Sequence, residues 1–303
     1  MDAQGTELER SLRAAGFDGE LKSNAPLAPL TTWRIGGPAQ LLAAPRNRDD
    51  LAIALSWASA RDLPWRILGN GSNLLVRDAG VPGLVLRMRG VLDEVEMRGT
   101  EMHAGAGASF PAVARLAAGA GLSGIEFGAG IPGTVGGAVA MNAGWHEFEL
   151  GNVITCAEFL EPDGAVRRYD RSACEFRYRG SLFRRRRGVV LRASLQLVRA
   201  APAEVRSRLA SFAVSRKENQ PTELPSCGSV FLKPPGDFAG RLIEQADLKG
   251  ARVGDLQVSP KHANFIVNLG RGRAEDALAL VERIECEVFD RFGVKLEREF
   301  EIW

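Results

Sequence analysis

The sequence has 303 residues, of which 45% are hydrophobic and 25% are charged, and its formal net charge is only +2. This composition is typical of a folded globular chain with room for two domains, which argues against disorder. The near balance of charge also argues against a nucleic-acid binder, which would need a clear excess of basic residues.

The cysteines indicate a reducing environment. They stand alone in the sequence, at Cys156, Cys174, Cys227 and Cys286. No two of them have the spacing of a zinc site or a redox pair, so we expect neither a metal site nor a disulfide framework. A chain of this length with isolated cysteines is typical of a cytosolic protein.

Two segments lie where a targeting signal or a membrane span could be expected, but neither has the pattern of one. Residues 1–16 lack the cationic-then-apolar order of a signal peptide. Residues 127–145 are uncharged over the length of a membrane span, but the segment is rich in glycine and contains Pro132. A binding loop explains this segment better, so we expect no membrane association.

The chain up to residue 199 predicts helices alternating with short strands. Periodicity and capping residues predict helices over residues 6–15, 49–60 and 109–120. Apolar patterns predict a turn and strand over 34–44 and strands over 65–68, 74–76, 85–88 and 102–104. The proline-containing residues 23–30 predict a linker, and residues 153–198 predict three strands with a hairpin turn at 162–164.

The character of the sequence changes near residue 200. The second part predicts helices over 201–216, 238–245 and 274–292, with strands over 263–268 and 296–302 and a loop or strand edge over 226–233. We therefore predict an α+β protein with an N-terminal helix and linker (1–30), a glycine-rich domain (31–199) and a C-terminal domain (200–303).

Glycine-rich loops are the main functional signal. The chain has 34 glycines, more than is usual for its length, and the excess clusters at residues 36–37, 69–73, 105–107 and 128–137. Glycine lets a backbone approach a ligand closely and turn its N–H groups toward an anion. Each cluster alone is more often a tight turn, but together they indicate a long ligand with a diphosphate. Residues 128–133 match Gly-x-Gly-x-x-Gly, yet no long apolar strand precedes them, so a Rossmann site is disfavoured.

Several ordered strings resemble the UDP-N-acetylenolpyruvoylglucosamine reductase (MurB) family. The resemblance runs from about residue 24 to the C-terminus. The strings are TWRIGG (32–37), LGNGSNLLV (68–76), GIEFGAGIPGTVGG (124–137), MNAG (141–144), YRGS (178–181), CGSVF (227–231) and KHANFIVN (261–268).

The resemblance implies a fold and a reaction. The fold is a two-lobed FAD-binding domain of the vanillyl-alcohol-oxidase (PCMH) type, followed by an α+β substrate-binding domain. The reaction is the reduction of UDP-N-acetylglucosamine enolpyruvate to UDP-N-acetylmuramate in peptidoglycan synthesis, with NADPH as the hydride donor to FAD. The tract that joins Arg179 to the strand at Val189 is short, and Tyr169 and Tyr178 are the only tyrosines, so the chain resembles the short class of the family, without a tyrosine-bearing loop over the nucleotide. We expect a monomer that binds no nucleic acid.

The family motifs also imply catalytic residues. Hydride addition to the enolpyruvyl double bond leaves negative charge that spreads onto the substrate carboxylate, and this charge needs preorganised donors. By position, Arg179 and Glu299 serve the carboxylate and Ser229 donates the proton. Without the motifs, these residues would be read as a solvated arginine, a strand-surface acid and a turn residue. Glu297 remains the alternative to Glu299, because Trp303 departs from the family pattern at the end of the strand.

The resemblance further implies two sets of binding residues. The set for the nucleotide-sugar substrate comprises Lys217, Lys233, His262 and Asn264. The set for FAD comprises Arg34, Ile35, Gly36, Gly69, Asn70, Gly71, Ser72, Asn73, Leu74, Gly107, Gly128, Gly130, Ile131, Pro132, Gly133, Thr134, Gly136, Gly137, Ala138 and Asn142.

Some of these assignments have alternatives. Lys233 stands where the family commonly has an asparagine, Lys217 could equally complement a helix dipole, and His262 could be a structural residue near the nucleotide. The sequence also leaves open an FAD-dependent oxidase of a small alcohol or sugar, and a nucleotide-sugar sensor without catalysis.

Overall fold

The computed structural model describes residues 3–303, which divide into two compact units. The first unit comprises residues 3–24, 40–70 and 82–215, and the second comprises residues 25–39, 71–81 and 216–303. The predicted domains are contiguous in sequence, whereas these units are interleaved. One reason is that residues 74–75 pair with the C-terminal strand at 301–302.

The secondary structure is a mixture of helices and short strands, as predicted for an α+β protein. The helices are α1 (Ala3–Ala14), α2 (Arg48–Ser59), α3 (Phe110–Gly119), α4 (Val135–Met141), α5 (Leu182–Arg185), α6 (Pro202–Asn219), α7 (Ala239–Gln245) and α8 (Ala274–Phe292). The strands are β1 (Glu20–Pro26), β2 (Pro38–Ala44), β3 (Trp65–Leu68), β4 (Leu74–Leu75), β5 (Val81–Arg87), β6 (Val95–Arg98), β7 (Glu101–Gly105), β8 (Leu122–Ser123), β9 (Gly144–Trp145), β10 (Phe148–Glu149), β11 (Ile154–Leu160), β12 (Val166–Asp170), β13 (Val189–Gln196), β14 (Val198–Arg199), β15 (Arg252–Val253), β16 (Leu256–Val258), β17 (Ile266–Asn268) and β18 (Glu301–Ile302).

The first unit is built around two sheets. A four-stranded sheet has the order β1-β2-β5-β3, and a five-stranded antiparallel sheet has the order β12-β11-β13-β7-β6. Helix α2 begins at the N-cap Asn47, whose side chain accepts a hydrogen bond from the Asp50 amide. Helix α3 buries Val113, Ala114 and Ala117 in the core of the five-stranded sheet.

The second unit packs α7 and α8 with the antiparallel sheet β15-β16-β17. The N-terminus of α8 is capped from a loop outside the helix, because the Asp78 carboxylate accepts hydrogen bonds from the amides of Ala274 and Glu275 at 3.1 and 3.2 Å. The helix ends at Gly293, which is left-handed with φ 67°. These two ends explain why the predicted bounds of α8 are confirmed.

Three element predictions are wrong. Residues 23–30 are not a linker, because they contain the end of β1 and a 3₁₀ turn at Ala28–Leu30. The strand predicted over 296–302 is reduced to β18 and an isolated bridge between Phe231 and Arg298. The glycine-rich segment contains the helix α4, which the sequence analysis treated as loop. Among residues 3–303, no helix has the length and apolar character needed to cross a bilayer.

Candidate active site

In the first unit, the glycine-rich segment 128–137 packs along the loop that follows β7. Backbone hydrogen bonds of 2.8 to 3.0 Å join residues 106–110 to residues 133–136. Small residues allow this approach, since a Cβ atom on Gly136 would lie 3.0 Å from that of Ala106, and one on Gly107 would lie 1.8 Å from the Val91 carbonyl oxygen. The structure thus brings the predicted loops at 105–107 and 128–137 together.

Thr134 joins a third glycine loop to this arrangement. Its hydroxyl caps α4 by accepting a hydrogen bond from the Gly137 amide at 3.4 Å. A Cβ atom on Gly69 would lie 2.7 Å from the same hydroxyl oxygen, so only glycine fits at the end of β3. Asn70 follows and is half-buried.

The remaining predicted FAD residues of this unit divide between surface and interior. Gly130, Ile131 and Gly133 are half-buried and Pro132 is exposed in the turn before α4. Gly128, Ala138 and Asn142 are instead buried among protein atoms.

Gly137 tests whether this cradle suits a bulky cofactor. The residue is exposed in the first turn of α4, and a Cβ atom there would meet nothing closer than the Thr134 hydroxyl, at 3.5 Å. Packing within the protein therefore does not require glycine, which costs a helix about 1 kcal/mol relative to alanine. A glycine at this position leaves room for a group that approaches the backbone from outside, and in this respect the residues fit FAD.

Arg179 lies at the tip of a reverse turn in the first unit. The amides and carbonyls of Arg177 and Gly180 bond each other reciprocally, at 2.9 and 3.0 Å. Arg179 is half-buried with a left-handed φ of 53°, an uncommon conformation for a residue with a side chain. Its guanidinium lies 5.2 Å from the ring centroid of Tyr178, and Arg184 donates to its carbonyl oxygen at 3.2 Å. Hydrogen bonds on both sides of Arg179 therefore hold the conformation of this turn.

In the second unit, the segment 71–74 runs beside the C-terminal strand. The Asn73 side chain donates to the Glu299 carbonyl oxygen at 3.2 Å, and Leu74 pairs with Glu301. Gly71 has a φ of 60°, and a Cβ atom there would lie 2.7 Å from the Leu30 carbonyl oxygen. Ser72 is half-buried and Leu74 is buried.

The segment 34–36 forms another turn of this unit. Arg34 is exposed with a left-handed φ of 57°, and Ile35 is buried. Gly36 has a φ of 138°, and a Cβ atom there would lie 2.6 Å from that of Val76. Glycine is therefore required at this position both by its backbone conformation and by packing.

Ser229 lies in an anchored loop of the second unit. Gly228 before it has a φ of 84°, and both the amide and the carbonyl of Val230 after it form backbone hydrogen bonds. The Val230 amide donates to the Asn264 carbonyl and the Val230 carbonyl accepts from the Glu299 amide, both at 2.9 Å. Ser229 itself is half-buried. The bond between Val230 and Glu299 places it next to the segment that carries Glu299.

The side chain of Asn264 holds the same loop from within. Its amide accepts from the Phe231 backbone amide at 3.0 Å and donates to the Phe231 carbonyl at 2.8 Å. Both residues are buried. The family motif predicts Asn264 as a substrate contact, and a single sequence does not reveal these bonds because their partner lies 33 residues away in the chain.

Glu299 and Glu297 differ in their surroundings. Glu299 is half-buried and Glu297 is exposed. Burial raises the pKa of the Cys227 thiol, and the negative charge of Glu299 raises it further. Cys227 is thus a buried packing residue beside the segment that carries Ser229.

The other predicted substrate residues also lie in the second unit. Lys217 is exposed near the end of α6, and its carbonyl oxygen accepts from the Lys261 ammonium at 2.6 Å. The Lys233 ammonium lies 4.3 Å from the ring centroid of Phe238. Nδ1 of His262 accepts from the Asn264 amide at 3.2 Å, and burial lowers the pKa of this histidine.

Known proteins resemble the chain over nearly its whole length. Residues 39–170 match the family described as FAD binding domain, and residues 220–303 match the UDP-N-acetylenolpyruvoylglucosamine reductase C-terminal domain. The UDP-N-acetylenolpyruvoylglucosamine reductase of Moorella thermoacetica is 44% identical over 95% of this chain and 95% of its own. That of Rubrobacter xylanophilus is 44% identical over 97% of each chain.

A solved structure agrees with these relatives. The crystal structure of the same reductase from Thermus caldophilus has a TM-score of 0.80 and 41% identity, and the match covers 94% of this chain and 98% of that one. The chain therefore belongs to the UDP-N-acetylenolpyruvoylglucosamine reductase family and is a flavin-dependent oxidoreductase with an α+β fold.

Proposed function

We propose that this protein reduces UDP-N-acetylglucosamine enolpyruvate to UDP-N-acetylmuramate, with FAD as cofactor and NADPH as electron donor. Bound FAD would supply the hydride chemistry that links NADPH to the substrate double bond. The remaining tasks fall to side chains, which hold the substrate carboxylate, stabilise the developing anion and deliver one proton.

Arg179 holds the substrate carboxylate in this proposal. A guanidinium stays positively charged and can bind a carboxylate through two parallel hydrogen bonds. Negative charge that spreads onto the carboxylate after hydride addition strengthens this interaction, so it favours the transition state over the ground state. The left-handed backbone of Arg179 supports the assignment, because such strain is concentrated at functional sites.

Ser229 donates the proton to the carbanionic carbon. A hydroxyl is a weak acid at neutral pH, but a carbanion is basic enough to take its proton when the geometry is fixed. The observation that carries this role is the anchoring of the loop, since Val230 is bonded to both Asn264 and Glu299. This anchoring limits the positions that the neighbouring hydroxyl can take.

Glu299 assists at the carboxylate, and its protonated form can donate a hydrogen bond there. Its half-buried position and the hydrogen bond from its backbone amide to the Val230 carbonyl, next to Ser229, support Glu299 over the exposed Glu297. Lys217 and Lys233 supply positive charge for the substrate diphosphate, with Lys233 held over Phe238. His262 and Asn264 act indirectly in this proposal. His262 bonds the Asn264 amide, and the Asn264 side chain holds the loop that carries Ser229.

The proton-donor role is tested by separating the two half-reactions of Ser229→Ala. We expect the variant to retain FAD and to be reduced by NADPH at the wild-type rate. Its reoxidation by UDP-N-acetylglucosamine enolpyruvate should be slower by roughly 10²- to 10⁴-fold, the range of general acid catalysis. Ser226→Ala, in the same loop, is the control and should keep both rates. Reoxidation of Ser229→Ala at the wild-type rate would show that another group donates the proton.

A further inference from the structure

We propose that Asn142 is a positioning residue for Arg179 rather than a contact to the cofactor. This inference rests on the proposed role of Arg179. It concerns the end of α4, the hairpin β9–β10 and the turn 177–180, all of which lie in the first unit.

Every hydrogen of the Asn142 side-chain amide is used inside the protein. The amide nitrogen donates to the Glu149 carboxylate at 2.7 Å and to the Arg177 carbonyl oxygen at 3.1 Å. The amide oxygen accepts from the Gly151 backbone amide at 2.8 Å. Because a carboxamide has two N–H donors, none is left for a bound cofactor. The residue is also only 1% exposed.

The backbone explains why asparagine is suited to this position. Asn142 ends α4 in the left-handed conformation, with φ 45° and ψ 56°. Asparagine tolerates this conformation better than most residues. Glycine would also accept it but has no side chain to reach the three partners. The position therefore combines a helix end with a three-way hydrogen-bond junction.

The junction fixes the turn that presents Arg179. Asn142 holds the Arg177 carbonyl, and the Ser181 hydroxyl donates to the Ala140 carbonyl at 2.9 Å. Both ends of the turn are thereby attached to the last residues of α4 and the cap that follows. Ser181 is fully buried, so these bonds are shielded from water. Loss of the Asn142 bond frees the first end and lets the strained backbone of Arg179 relax.

The test compares Asn142→Gly, Arg179→Ala and the double variant in separate half-reactions. Glycine keeps the left-handed backbone and removes only the amide. We expect Asn142→Gly to bind FAD and to react with NADPH as the wild type does. Its reoxidation by UDP-N-acetylglucosamine enolpyruvate should be slower by about 10- to 100-fold, as for a small misplacement of a catalytic group. Asn24→Gly, at an exposed left-handed position with φ 48°, is the matched control and should change neither rate.

The double variant supplies the readout that separates positioning from general damage. If Asn142 acts through Arg179, the double variant is no slower than Arg179→Ala alone. Multiplied effects, a wild-type rate for Asn142→Gly, or at least tenfold weaker FAD binding would each overturn the inference. A wild-type rate for Arg179→Ala would instead refute the proposed role of Arg179. If Asn142→Gly does not fold, Asn142→Ala provides a second test, since it also removes both donors and adds no charge beside the Glu149 carboxylate.

Discussion

Replacement of Asn264 by alanine tests how the Ser229 loop is held. The change removes the two hydrogen bonds, of 3.0 and 2.8 Å, that the side chain makes with the Phe231 backbone. Phe231 is only 1% exposed, so water cannot easily replace the lost partners. An unsatisfied buried polar group costs about 1 to 3 kcal/mol, and two such groups are created. Allowing for partial relaxation, we expect the free energy of unfolding to fall by about 2 to 4 kcal/mol.

Urea unfolding followed by circular dichroism measures this change, with Asn152→Ala as the control. Asn152 is exposed, and its replacement should alter the free energy of unfolding by less than about 0.5 kcal/mol. The same loosening should slow reoxidation of the flavin by substrate, because Val230 is bonded to the Asn264 carbonyl next to Ser229. A stability of Asn264→Ala within about 0.5 kcal/mol of the wild type would refute this account of the loop.

Two further predictions concern proton uptake and the cofactor cradle. Since burial lowers the pKa of His262, the unfolded chain binds the proton more readily, and stability should fall as pH drops below the ordinary histidine value of about 6.5. Melting temperatures of the wild type and His262→Gln between about pH 5 and 7.5 should show a weaker decline in the variant, and parallel curves would contradict this. Gly137→Ala should stabilise α4 by up to about 1 kcal/mol yet weaken FAD binding in a fluorescence titration. Gly119→Ala, a helical glycine that also has open space, should leave FAD affinity unchanged, and equal affinities for both variants would show that Gly137 does not face the cofactor.

The elements that the sequence predicted well have strong local signals. Helix α8 has a regular apolar face, on which Ala277, Val281, Ile284 and Val288 are buried. Its C-terminus at Gly293 is likewise visible in the sequence. Phe292, the last residue of the helix, is 37% exposed and lies outside this buried face.

The wrongly predicted elements depend on distant partners. Helix α4 consists mainly of glycine, alanine and valine, which give no helical periodicity, and its first turn is held by Thr134 and by residues 106–108. The alternation over 296–302 predicted a full strand, yet only β18 pairs with β4, while Leu296 and Phe300 are buried in the core. A single sequence does not reveal such partners.

The candidate site shows the same contrast between what local sequence signals reveal and what depends on distant partners. The family strings identified residue types suited to catalysis, such as Arg179 and Ser229. They could not show which of the predicted binding side chains also bond the protein backbone, as those of Asn142 and Asn264 do. The signal for that role is spatial, because each amide bonds a segment more than 30 residues away in the chain.

The most direct test of the proposed function is an anaerobic experiment on the purified protein. FAD-loaded enzyme is mixed with NADPH until the visible absorbance of the oxidised flavin bleaches, and UDP-N-acetylglucosamine enolpyruvate is then added. The proposal predicts that the flavin colour returns without oxygen and that UDP-N-acetylmuramate forms in proportion. A flavin that stays reduced until air is admitted would contradict the proposed reductase activity.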